Sequence, residues 1–182
     1  MKIFKGILYT LVILLASILI AAFLAPTDII IERSVLICAN QERVFDEIVD
    51  FKKWYQWDPW YPKDTTQKRN YVGKFGDTLY GYSWSSNEKN VGNGSMFFTN
   101  ISNKDSISYA VTFGRDDDEQ KSSGSFYLQT LGKNTQVVWT LKSSLAYPYK
   151  FLNFFLDDIA GKDFEIGLEG LKSHVEKVKK IH

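Results

Sequence analysis

Cysteine occurs once in this 182-residue chain, at Cys38, and histidine twice, at His174 and His182. A single thiol excludes an internal disulfide and a cysteine-based zinc site, and Cys38 reads as a small buried apolar residue. Both histidines fall at the end of the C-terminal segment, where an exposed position is expected and a general base would lie far from a mid-sheet pocket. No Ser/His/Asp, Cys/His or HExxH arrangement can be assembled, so no catalytic residue, no metal ligand and no cofactor is expected. Charge of one sign is also missing. Lys and Arg number 22 against 21 Asp and Glu, for a net +1, and nucleic acid as a partner usually needs a concentrated basic face. Internal repeats and low-complexity tracts are absent.

Two motifs fail on inspection. Gly92-Asn93-Gly94 starts like a dinucleotide loop, but Phe97 holds the place of the third glycine and strand-like sequence follows, so a hairpin turn is expected. Asp116-Asp117-Asp118-Glu119 lacks the alternation and glycine of a calcium loop and reads as a solvated loop.

What is present begins with residues 6–25, an uncharged apolar run closed by Pro26. As a helix rising about 1.5 Å per residue it matches the roughly 30 Å core of a bilayer. Anchor and cleaved signal compete, with a buried helix of a soluble protein as the third reading. A cleaved signal has an apolar region of only about 7–15 residues before a small-x-small site. This run is longer, and Phe23 or Ile20 would occupy the third position before the possible cuts, so an uncleaved single-pass anchor is preferred. Lys2 and Lys5 favour a cytoplasmic N-terminus, with Arg33 and Arg43 competing. The expected organisation is a short tail (1–5), a transmembrane helix (6–25) and one domain (26–182), in a bacterial plasma (inner) membrane with the domain on the extracytoplasmic side.

In the remainder, residues 28–39 read as a strand, and Asn40 caps a helix over 41–51. A Trp-rich segment over 52–62 is broken by Pro59 and Pro62. Residues 71–86 read as strand material around Gly73 and Gly76, with Tyr80, Tyr82 and Trp84 alternating onto one face. Further strands are expected over 95–101, 106–113, 124–130 and 135–143. From Pro148 the period becomes 3.6, and Phe151, Phe154/Phe155, Ile159, Phe164, Leu168, Leu171, Val175 and Val178 are expected along one stripe of a long helix, with Gly161, Gly167 and Gly170 bending it or bringing it close to the sheet. The order gives an α+β domain, one curved antiparallel sheet gripping a C-terminal helix.

Aromatic residues make up 15% of the chain, more than packing alone requires, and hint at an aromatic-lined hollow. The order of Cys38-Ala39-Asn40, Glu42 to Phe45, Val49-Asp50-Phe51, Trp57-Asp58-Pro59-Trp60, Gly76, Tyr82-Ser83-Trp84, Val91 to Met96, Thr135 to Thr140 and Gly167 to Lys172 resembles the START-like (SRPBCC) superfamily over residues 28–180, in its polyketide cyclase/dehydrase and lipid-transport branch. The resemblance implies a helix-grip fold with a cavity between sheet and C-terminal helix, used for apolar ligands.

Candidate lining residues are Trp57, Trp60, Tyr80, Tyr82, Trp84, Phe98, Tyr109, Phe113, Trp139 and Phe155; the alternative is that these aromatics fill a core. Trp54, Trp57 and Trp60, with Tyr55 and Tyr61, either form an amphipathic lip or pack short helices on the sheet. Three functions stay open: a membrane-anchored binder of a lipid or other hydrophobic small molecule, a cyclase-like enzyme using Tyr80, Tyr82, Tyr109 or Asp58 to move protons, and an envelope interaction module with a filled pocket. The bilayer and an apolar ligand are the expected partners.

Overall fold

A computed structural model describes residues 2–77, 79–114 and 119–178. The acidic run 116–118 and His182 lie outside the described residues. Helix α1 (Lys2–Leu24) is one uninterrupted helix, and its Ile3–Leu24 stretch is long and apolar enough to cross a membrane. Its large side chains are exposed along its length, while Ala22 and Ala25 are buried against the domain.

Seven strands follow: β1 (Asp28–Ile37), β2 (Lys68–Val72), β3 (Gly81–Ser85), β4 (Asn93–Ser102), β5 (Ser106–Phe113), β6 (Gln120–Leu131) and β7 (Asn134–Ser144). They form one antiparallel sheet in the order β1-β7-β6-β5-β4-β3-β2. The first strand therefore closes against the last, and the hairpins fan away from it. The period-2 pattern put β5 at its observed bounds. The stretch expected as one strand over 71–86 is instead split into β2 and β3, because Gly73 and Gly76 take positive φ (68° and 96°) and turn the chain. Strands β4 and β6 start earlier than their sequence signals, since Asn93 and Gln120 still pair with neighbouring strands.

Helix α2 (Gln41–Ile48) starts at Asn40, whose Oδ1 accepts from the Arg43 N–H. Helix α3 (Asn153–Val178) closes the concave face and runs alongside β1 in the same direction. At its start Asn153 Nδ2 donates to the carbonyls of Pro26 (2.7 Å) and Thr27 (3.1 Å). Near its end Glu176 accepts from the Cys38 N–H at 2.8 Å. Phe164, Leu168, Leu171 and Val175 are buried on the sheet, each stabilising by about 1.5–3 kcal/mol.

Three expectations are corrected here. Cys38 is exposed, because β1 ends at Ile37 and the chain turns outward into the α2 cap. His174 is half-buried, with Nε2 3.2 Å from Glu47 Oε2, because α3 packs against α2 at that point. The apolar stripe of α3 is not continuous. Phe155 lies nine residues, or two and a half turns, ahead of Phe164 and so faces the opposite way. Phe154, Phe155 and Ile159 are all more than half exposed.

Candidate functional site

The groove between sheet and α3 divides into two halves. The half far from α1 is filled by residues 51–57. Asp50 caps a short 3-10 helix (Phe51–Gln56), whose spacing of three residues per turn sends Phe51 and Trp54 inward together. Trp54 anchors there by donating Nε1–H to the Ile48 carbonyl at 2.8 Å. Phe51 stacks on Phe98 at 4.1 Å and meets Tyr80 at 5.2 Å. The Tyr80 hydroxyl donates to Asp50 Oδ1 and accepts from the Phe51 N–H. Trp57 is buried against Trp54, Phe126 and Trp139. Its backbone carbonyl touches α3 so closely that a Cβ on Gly170 would sit 2.5 Å from it.

In the half nearest α1 the aromatic plug ends and an apolar cleft remains. It encloses about 510 Å³ out to its solvent-open mouth, of which about 50 Å³ is free to a water-sized molecule. That inner space equals roughly three to five water-sized spheres. Six of the ten sequence candidates line it: Trp60, Tyr82, Trp84, Tyr109, Phe113 and Trp139. Val91, Met96, Val111, Leu141 and Phe164 complete its apolar wall, with Gln67 and Arg69 as its polar members. Trp57, Tyr80 and Phe98 belong to the plug and its packing. Phe155 stands outside the cleft on the exposed side of α3.

The polar tips of these aromatics are largely consumed within the protein. The Tyr109 hydroxyl donates to the Thr140 carbonyl at 2.8 Å and accepts from Trp139 Nε1–H at 2.9 Å. Its ring reaches across β6 only because position 124 is glycine; a Cβ there would lie 2.3 Å from the hydroxyl. Trp84 Nε1–H donates to the Val91 carbonyl at 3.2 Å. Burial raises the pKa of Tyr82 and of Tyr109 well above the ordinary tyrosine value, and burial with the Asp50 contact does the same for Tyr80. All three hydroxyls therefore stay neutral through the physiological range.

One charged pair interrupts the apolar wall. Asp58, its side chain wholly buried, accepts from the Trp60 and Tyr61 N–H groups through Oδ1 (2.9 and 2.7 Å) and from Arg69 Nη2 through Oδ2 (2.9 Å). Arg69 stands on β2 opposite Trp84 of β3. Its guanidinium lies 5.3 Å from the centre of the Tyr61 ring and 5.5 Å from that of Tyr82, and its Nε donates to Gln67 Oε1 at 3.0 Å. Burial opposes the charge, but Asp58 with the Tyr82 and Tyr71 hydroxyls outweighs it and holds the Arg69 pKa above its ordinary value. Nη1 is buried with no hydrogen-bond partner, which costs at least about 1–3 kcal/mol. Asp58 stood out in the sequence beside Pro59 and Trp60. Arg69 did not: its only signal was a place opposite Trp84, and that register depends on a turn the sequence did not fix.

The curved seven-stranded sheet closed by one long helix is also the architecture of many solved structures. The fold is START-like. A START superfamily protein from Mycobacterium smegmatis matches with a TM-score of 0.58 at 17% identity, over 82% of this chain and 98% of that one. The Aha1 dimer of Colwellia psychrerythraea matches at 0.57 and 16% identity, over 81% and 96%. A hypothetical protein from Helicobacter pylori matches at 0.62 and 11% identity, over 82% and 89%. No protein-family model matches this sequence, and no curated protein matches it. At these identities the START-like likeness is one of fold. Among the described residues, no group of three His, Cys, Asp or Glu side chains is placed to hold a metal ion.

Proposed function

We propose that this chain is a membrane-tethered binding module that receives an apolar small molecule or part of a lipid in the cleft between the sheet and α3. The observation that carries this reading is position. The cleft occupies the α1 half of the groove, lined by Trp84, Phe113 and Leu141, from the end of the sheet where Asp28 pairs with Ser144. A molecule leaving a bilayer around α1 has a short path into it.

A second feature supports the membrane reading. Tyr147, Tyr149, Leu152, Phe154, Phe155 and Ile159 are exposed around the start of α3, and the short 3-10 helix Tyr149–Leu152 touches α1. Aromatic residues clustered beside a membrane-spanning helix suit the headgroup level, where one end of each ring is apolar and the other wet. Of the two alternatives for residues 54–61, Trp54 and Trp57 follow the packing one, since both are core residues.

The small inner volume sets the size of the occupant. Typical small-molecule pockets hold about 300–1,000 Å³, so an acyl end or a single ring fits the present cleft, and anything larger requires Trp60, Trp84 and Phe113 to swing outward. The same volume favours, as the second reading, an interaction module whose pocket is filled by its own side chains. Native mass spectrometry of the full chain extracted in mild detergent separates the two. Co-purifying lipid that falls in Trp84→Ala and Phe113→Ala supports binding; an empty wild-type protein supports the interaction module.

A further inference from the structure

The Asp58–Arg69 pair narrows the class of ligand, on the reading that the cleft binds an apolar molecule. Arg69 is the only cationic side chain lining the cleft among the described residues, and its side chain is 7% exposed. Three features define what it offers. Nη2 is engaged by Asp58 and Nε by Gln67. The Tyr61 and Tyr82 rings hold the guanidinium plane. Of the guanidinium nitrogens Nη1 alone is buried without an acceptor, and Trp57 Nε1, inside the aromatic plug, is the other such donor among the described residues. Natural proteins rarely leave such a donor unmet, and either an ordered water or a ligand oxygen that displaces it supplies the acceptor.

Charge decides which oxygen. Asp58 already balances the guanidinium, ion for ion, and its own side chain is fully buried. A carboxylate or phosphate entering the cleft would bring a second negative charge against one cation, in surroundings that are otherwise aliphatic and aromatic. The desolvation cost of that unpaired charge is not recovered. An uncharged acceptor satisfies Nη1 and adds no charge. Gln67 Oε1 is turned to Arg69 Nε and its Nε2 to the Asp64 carbonyl, and neither bonds Nη1. We infer that the cleft takes an apolar molecule bearing a neutral oxygen acceptor, a ketone, ester or alcohol, whose oxygen is received by Arg69 Nη1.

The test uses the full chain in lipid nanodiscs and three probes of equal chain length: 2-undecanone, n-undecane and undecanoate at pH 8. Binding is read by quenching of tryptophan fluorescence, corrected for partition into protein-free nanodiscs. Carbonyl-labelled 2-undecanone is also followed by isotope-edited infrared spectroscopy. The expected result is ketone binding roughly tenfold or more above the alkane, undecanoate no better than the alkane, and a carbonyl stretch shifted to lower frequency in the bound ketone. The double variant Asp58→Asn/Arg69→Met removes both charges and keeps the volume, so alkane binding survives while the ketone advantage and the infrared shift vanish. Equal ketone and alkane binding with an unshifted carbonyl overturns the inference and leaves the cleft reading standing. Tightest binding by undecanoate overturns the charge argument. Failure of all three probes on the wild-type protein overturns the cleft reading itself, and the inference with it.

Discussion

Asp58→Ala is the most informative single perturbation of this domain. The carboxylate it removes accepts three hydrogen bonds, two from the Trp60 and Tyr61 backbone and one from Arg69. The side chains of the pair are 0% and 7% exposed, so the orphaned guanidinium can turn only to the few waters the cleft admits. Breaking a buried pair from one side costs about 3–5 kcal/mol, which in a domain of this size lowers Tm by roughly 6–20 °C. Arg69→Met is expected to cost somewhat less, about 3 kcal/mol, because Asp58 keeps two backbone donors. In Asp58→Asn/Arg69→Met the buried charges go together, and the loss is expected to fall to about 1 kcal/mol. That is about 2 kcal/mol less than the loss from Arg69→Met alone, so the losses are not additive. Urea unfolding of the full chain in nanodiscs, followed by tryptophan fluorescence, measures all three. Additive losses, or an Asp58→Ala cost below about 1 kcal/mol, would show that the pair is solvated and that the cleft wall is not the closed apolar surface described above.

Gly170→Ala is expected to destabilise by about 1–3 kcal/mol, since its Cβ would lie 2.5 Å from the Trp57 backbone oxygen and α3 would have to lift; an unchanged urea midpoint contradicts that contact. Tyr80, Tyr82 and Tyr109 carry raised pKa values. Their stabilisation is complete below the unfolded-state value near pH 10 and is lost as pH rises from there towards the folded values, so stability should fall above about pH 10. An ultraviolet titration in which every tyrosine ionises near pH 10 in the folded protein is incompatible with their burial. A tryptophan placed by Tyr149→Trp should be quenched by lipids brominated near the headgroup, and one placed by Tyr127→Trp, on the β6 face of the sheet, should not. Equal quenching at both positions removes the collar from the interface.

The sheet was legible wherever alternation was uninterrupted. β5 has no glycine and no proline, and its alternating Ile107, Tyr109 and Val111 give both its bounds and its buried face. Where glycine stood, the sequence was ambiguous. Gly73 and Gly76 end β2, whereas Gly94 lies inside β4 opposite Phe113. Of the site, parity on the strands found Tyr82, Trp84, Tyr109 and Trp139. Tyr80 shares their parity, yet it packs under Phe51, a contact made by a segment thirty residues earlier that strand periodicity does not reveal. Phe155 failed for a simpler reason: its helical phase relative to Phe164 is opposite, so apolar character alone could not place it. The Asp58–Arg69 pair joins a loop to a strand across eleven residues, and no period connects the two.

The junction between α1 and the domain has a mechanical consequence. Only residues 25–27 separate α1 from β1, a stretch spanning at most about 10 Å when extended. Even that slack is taken up, since Asn153 holds the Pro26 and Thr27 carbonyls and Ala25 is buried. A domain on a long flexible tether can sample tens of ångströms and visit partners across a compartment. This one has no such radius of action. If α1 spans a bilayer, as proposed, the short junction holds the cleft in one orientation to the lipid surface and confines its working space to the first layer of molecules against that surface.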